Sequence, residues 1–98
     1  MYLEVVSPEA VLFASEVDSI SVPGTDGAFQ ILVNHAPIVS TLREGVVKIH
    51  LNPEDLSSQK DSLHKKIVPQ AGSSDVLTVN VQSGTIEFKE NKAIILVD

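Results

Sequence analysis

Apolar and polar residues alternate along most of this chain with a period of two, the signature of half-buried β-strands rather than of helices. Ser21 separates Ile20 from Val22, and Lys48 and His50 separate Val47, Ile49 and Leu51. Thr78 and Asn80 separate Leu77, Val79 and Val81, and Glu87 separates Ile86 from Phe88. Each set predicts a strand with one face in a core and the other in water. Leu3 and Val5, followed by Val11 to Phe13 after Ser7-Pro8, predict an opening hairpin or bend, because Pro cannot donate to a ladder. The run from Ala93 to Val97 has no polar residue, which predicts a strand buried on both faces.

Between Val22 and Leu42 the pattern tightens around turn residues. Pro23-Gly24 and Asp26-Gly27 are turn pairs, since Pro presets φ near −65° and Gly accepts positive φ. Phe29, Ile31 and Val33 then alternate with Gln30, Leu32 and Asn34, predicting a strand that ends at His35-Ala36-Pro37. Apolar character resumes from Ile38 to Leu42, and Arg43-Glu44-Gly45 makes the next turn. Further turns fall at Ser83-Gly84 and Glu90-Asn91-Lys92. Turn signals at intervals of about 8 to 12 residues predict one domain over residues 1–98, an all-β sandwich of roughly eight to ten short strands.

The segment from Asn52 to Lys66 breaks the alternation. Asn52 suits an N-cap and Pro53 the first helical position, while Glu54 and Asp55 suit the first turn and Lys65-Lys66 the last. Leu56 and Leu63 are spaced to share one helical face. The residues allow a short helix or a mobile polar loop, because Ser, Gln and Lys supply little apolar area against the entropy of ordering. Pro69 and Gly72-Ser73-Ser74 prolong the irregular stretch.

Composition narrows the function. A net charge of −6 and 4% aromatic residues argue against nucleic acid and against an anionic membrane surface, which need clustered cations. With no cysteine there is no disulfide, thiolate metal site or Cys nucleophile. No apolar run approaches the roughly 20 residues of a membrane-spanning helix. The MYLEVV start has neither a signal-peptide nor a transit-peptide pattern, which favours a bacterial cytoplasmic location.

Candidate chemistry is sparse. His35, in a turn, is the residue best placed for general-base or zinc chemistry, yet no second ligand or nucleophile stands at a usable spacing. A structural or interface role fits it better, and His50 and His64 have no partner either. Gly24-Thr25-Asp26-Gly27 lacks the GxxxxGK[ST] spacing of a phosphate loop, and Asp26 would repel phosphate. No catalytic residue, metal or cofactor is expected. A rigid loop carrying Ala28, Phe29 and Ile31 does suit a partner surface.

The stretch VPGTDGAFQILVNHAPIVSTLREGVVKI resembles the N-terminal domain of the epsilon subunit family of rotary ATP synthases. The resemblance rests on Gly24, Asp26 and Gly27, followed by Asn34-His35-Ala36-Pro37 and Gly45. It extends to YLEVVSPEAVLFASEVDSISVPG at the start and SGTIEFKENKAIILVD at the end. Gln30 departs from the family's frequent Gly, and residues 52–74 look like a family-atypical insertion or loop.

The resemblance implies a central-stalk rotor subunit that links the gamma subunit to the c-ring and couples proton flow to ATP synthesis. It would act on the catalytic alpha/beta head only indirectly and perform no chemistry itself. It would sit peripherally, through its partners, on the cytoplasmic face of the bacterial inner membrane. By position, Thr25, Asp26, Gly27, Ala28, Phe29, Gln30 and Ile31 would face the c-ring, and His35, Ala36 and Pro37 the gamma subunit. Family members commonly continue into an inhibitory two-helix hairpin, and a chain ending at Asp98 is expected to couple without it. The competing expectation is a small β-sandwich ligand-binding module or enzyme with a site near His35, which would need a convergent polar cluster there.

Overall fold

The computed structural model describes all residues, 1–98, and contains ten strands, one short α-helix and one 3-10 turn. The strands are β1 (Tyr2–Val6), β2 (Val11–Glu16), β3 (Ser19–Val22), β4 (Phe29–Leu32) and β5 (Ile38–Leu42). After them come β6 (Gly45–His50), β7 (Val68–Pro69), β8 (Val76–Val81), β9 (Gly84–Lys89) and β10 (Lys92–Val97). Helix α1 (Pro53–Gln59) and the 3-10 turn Lys60–Ser62 lie between β6 and β7. Two five-stranded sheets form, with orders β2-β1-β10-β9-β5 and β4-β3-β6-β8-β7, hereafter sheets A and B. The expected all-β sandwich is therefore the fold.

One core fills the space between the sheets. Leu3, Val5, Ile86, Phe88, Ala93 and Ile95 enter it from sheet A, and Ile20, Val22, Ile31, Val47, Ile49, Leu77, Val79 and Val81 from sheet B. These are the apolar members of the alternating sets, because a period of two sends every second side chain to the same face. The opening hairpin turns at Ser7 and Ala10, which exchange backbone hydrogen bonds. Its register shifts between Val5, opposite Phe13, and Val6, opposite Val11. Leu12 is thus an extra residue, and the bulge lets Leu12 and Phe13 both reach the core.

Several expectations are corrected. The fourth strand stops at Leu32: Asn34 takes φ 66° and the His35 N–H donates to the Leu32 carbonyl, so Val33 lies in a turn and is exposed. The Ala93–Val97 run is buried on one face only, with Leu96 exposed and Ile94 half-buried on the outer face of sheet A. The outer face has no covering layer, so the apolar residues there meet water.

The middle segment resolves in favour of a helix, shorter than the pattern suggested. Asn52 caps it, its side-chain oxygen accepting from the Asp55 N–H at 2.7 Å, and Pro53 opens it. The helix has no basic residue in its last turn. Lys65 and Lys66 fall beyond it, because Leu63 is already extended (φ −68°, ψ 141°). Leu56 is buried and anchors the helix to the core, with Leu63 packed alongside in the following chain.

Candidate partner-binding site

The loop between β3 and β4 is built on glycine spacing. The Gly27 N–H donates to the Gly24 carbonyl at 3.0 Å, closing a four-residue turn. Gly27, at φ 133°, supplies the conformation that other residues resist. Gly24 does not have positive φ and is needed for space: a Cβ there would lie 2.7 Å from both the Gly27 carbonyl oxygen and the Phe29 ring. Gly45 is packed in the same way, since its Cβ would come within 2.8 Å of the Pro23 ring. Pro23, Gly24, Gly27, Phe29 and Gly45 are therefore one packed unit, which accounts physically for their spacing in the sequence.

That unit fastens the two sheets together. The Thr25 N–H donates to the Thr41 carbonyl at 3.0 Å and the Arg43 N–H to the Pro23 carbonyl at 2.9 Å. The Thr25 and Thr41 hydroxyls lie 2.7 Å apart. A loop springing from sheet B is thus stitched to β5 of sheet A. Thr25, Asp26, Gly27 and Ala28 are exposed at its tip and Phe29 is half-buried beneath them. Gln30 is exposed and donates to the Ser19 hydroxyl at 3.3 Å. Ile31 is corrected: it is fully buried opposite Ile20 and offers nothing to a partner.

His35, Ala36 and Pro37 lie at the other end of the sandwich, past the far end of β4 and beside the β9–β10 turn. The His35 ring is half-buried, edge-on to Phe88 with centroids 6.0 Å apart and planes at 85°. Its Nδ1 is 2.7 Å from the Ala36 carbonyl oxygen, so that nitrogen donates. With Phe88 on one side and a backbone carbonyl on the other, His35 has no carboxylate or hydroxyl partner for acid-base work. Ala36 and Pro37 are exposed. A shallow apolar groove of about 390 Å³ follows them, with Ile38, Val39 and Phe88 in its wall.

This end is also tied to both sheets. The Asn34 N–H donates to the Asn91 side-chain oxygen and the Asn91 amide donates back to Asn34, both at 2.6 Å. Asn34 belongs to the crossing from sheet B to sheet A, and Asn91 to the β9–β10 turn. The sequence places Asn91 in a turn and Thr41 in the stretch from Ile38 to Leu42 but gives neither a partner, since the partners of both lie far away along the chain. Exposed apolar side chains complete the picture. Val39 is 74% exposed, and Val11 and Leu96 are 59% and 51% exposed, flanking Val6 on the outer face of sheet A.

The arrangement defines a class: a two-sheet β-sandwich with one core, whose accessible features are turn loops and exposed apolar side chains. A family model described as the beta-sandwich domain of the ATP synthase delta/epsilon chain matches residues 1–59. The ATP synthase epsilon chain of Campylobacter hominis is 32% identical over 98 residues, covering the whole chain and 61% of that protein. Its counterpart from Chlorobium limicola is 31% identical over 96 residues, covering 98% of the chain and 86% of that protein. The Leptospira borgpetersenii epsilon chain is 55% identical over 47 residues, 48% of this chain and 37% of its own length. The chain belongs to the delta/epsilon chain family of the ATP synthase.

Solved structures agree on the fold. A chain in the central stalk/c-ring structure of Tetrahymena thermophila mitochondrial ATP synthase superposes with a TM-score of 0.66 at 12% identity, covering 98% of this chain and 61% of that one. One in the Euglena gracilis mitochondrial OSCP/F1/c-ring structure gives 0.70 at 12% identity, covering 97% and 48%. No helix of this chain is long and apolar enough to cross a membrane.

Proposed function

We propose that this chain is a non-catalytic coupling piece of the central stalk of a rotary ATP synthase. The gamma subunit docks near His35, Ala36 and Pro37, and the c-ring meets the Thr25–Gln30 loop. Proton-driven rotation then passes through the sandwich towards the catalytic alpha/beta head, with the subunit held peripherally on the cytoplasmic face of a bacterial inner membrane. Besides family membership, one observation carries this reading: the two docking ends lie at opposite ends of one core, and each is fastened to both sheets. A body that transmits torque must not shear, and close packing with cross-ties at both loaded ends resists sliding of one sheet over the other.

The test is reconstitution in vesicles of the full ATP synthase of the same organism, gamma subunit, c-ring and catalytic alpha/beta head included, with and without this chain. The chain is expected to co-purify stoichiometrically with gamma and to raise the number of protons pumped per ATP hydrolysed. Failure to associate with gamma, or pumping unchanged by its addition, would overturn the proposal.

A further inference from the structure

Sheet B ends on a strand too short for its neighbour. β8 pairs with β6 along its whole length, Val76 to Val81, whereas β7 covers it only at Leu77 and Thr78. The Gln70 N–H donates to the Val76 carbonyl at 3.0 Å, which sets the phase of the ladder. Backbone groups facing one neighbour recur at every second residue, so those of Val76, Thr78 and Asn80 all face the β7 side. Asn80 has no strand opposite it. The chain turns away before reaching that position, the Ile67 N–H donating to the His64 carbonyl at 2.9 Å. An open ladder position of this kind is a template for another strand.

A groove of about 480 Å³ lies at the vacant position, with Lys65 and Lys66 on its rim and Thr78, Asn80 and Gln82 along its floor. Asp98 also lines it, but one of its carboxylate oxygens accepts from the backbone N–H groups of Gln82 and Ser83, both at 3.3 Å. Neither lysine is paired: the chain's ion pairs are the Met1 amine with Glu16 and Lys92 with Glu4. The strands of sheet B contain no Asp or Glu, although the chain carries 13 acidic residues. The edge therefore sets two unpaired ammonium groups against one side-chain carboxylate, that of Asp98, on an otherwise acidic protein.

We infer that this edge receives an extended, acidic segment of a partner chain, which adds a short strand to sheet B beside Asn80 and sets carboxylates against Lys65 and Lys66. The backbone ladder supplies adhesion, and the two ammonium groups select the sign of the incoming side chains. An inorganic anion could use the lysines but would leave the Asn80 backbone untouched. The inference stands apart from the gamma and c-ring contacts, because the groove lies on the β7 edge of sheet B and includes none of residues 25–37.

Two octapeptides test it, one alternating Glu with Val and one alternating Lys with Val, titrated into the nitrogen-15-labelled chain. The Glu peptide is expected to shift the Asn80 amide resonance and slow its hydrogen exchange, with the Lys peptide binding at least about tenfold more weakly. Combined Lys65→Glu and Lys66→Glu changes should reverse that preference without altering the melting temperature. Asn80→Pro removes the edge-facing N–H but spares the β6 ladder, and should weaken binding of the Glu peptide at least about tenfold, read on the Lys65 and Lys66 resonances. Equal binding of the two peptides overturns the inference. So does a response confined to the lysines that inorganic phosphate fully reproduces.

Discussion

Asn34 and Asn91, 57 positions apart in the sequence, exchange two 2.6 Å hydrogen bonds while both hold positive φ, at 66° and 58°. Asn tolerates that conformation better than most residues, and its short amide can donate and accept at once. One residue type thus satisfies two demands at each position. The pair joins the sheet crossover to the β9–β10 turn at the end where His35 lies.

The stability of that clasp is measurable in a double-mutant cycle. Asn34→Gly and Asn91→Gly both preserve access to positive φ, so backbone strain does not confound the result. Each single change should cost about 0.5–1.5 kcal/mol in urea unfolding, with a coupling of about 0.5–1 kcal/mol between them. A coupling of zero would mean that water replaces the exposed bonds without loss.

Gly24 and Gly27 should respond differently to the same methyl group. Gly24→Ala forces a Cβ against the Gly27 carbonyl and the Phe29 ring, and overpacking of that kind costs about 1–3 kcal/mol. Gly27→Ala meets no atom within 4 Å but must hold φ 133°, a strain of at least about 1 kcal/mol. The Phe29 ring resonances should separate their consequences for the core. Gly24→Ala should displace Phe29, visible as shifted ring resonances, and Gly27→Ala should leave them in place.

In the middle segment the helix should depend on one cap and one anchor. Leu56→Ala removes its buried contact with the core and should cost about 2–3 kcal/mol. Asn52→Ala removes the acceptor for the Asp55 N–H, at about 1 kcal/mol. Both losses can be read by denaturant unfolding. Equal stability of the Leu56→Ala chain would show that the helix is not docked.

What the sequence revealed follows from which signals are local. Ile20, Val47, Leu77 and Ile86 announce their strands because alternation is written within a few residues, and Asn52-Pro53 announces a helix start for the same reason. Leu96 misled, because an unbroken apolar run reads alike whether a second layer covers it or not. Ile31 follows exposed loop neighbours in the sequence and so reads as part of their surface, although its pairing with Ile20 sends it inward. The Thr25–Thr41 stitch and the vacancy beside Asn80 are products of long-range pairing. No spacing rule reports where β7 will stop.

The two candidate docking ends should be separable by mutation. Ala28 is exposed at the loop tip and Ala36 is exposed beside His35, so introducing a charge at either disturbs a surface and no core contact. Ala28→Glu and Ala36→Glu should each leave stability within about 0.5 kcal/mol of the parent. If gamma docks at the His35 end, Ala36→Glu should weaken co-purification with gamma by at least about tenfold, about 1.4 kcal/mol, while Ala28→Glu leaves it intact. Ala28→Glu should instead lower proton pumping per ATP in reconstituted vesicles, because its contact is assigned to the c-ring. Ile31→Ala is the control, since this residue is buried: it should cost about 2–4 kcal/mol and weaken both readouts together through folding. Loss of gamma binding by Ala28→Glu with Ala36→Glu unaffected would exchange the two assignments. Loss of neither readout by either charge would remove both surfaces from consideration and move the search to the Val6, Val11 and Leu96 strip of sheet A.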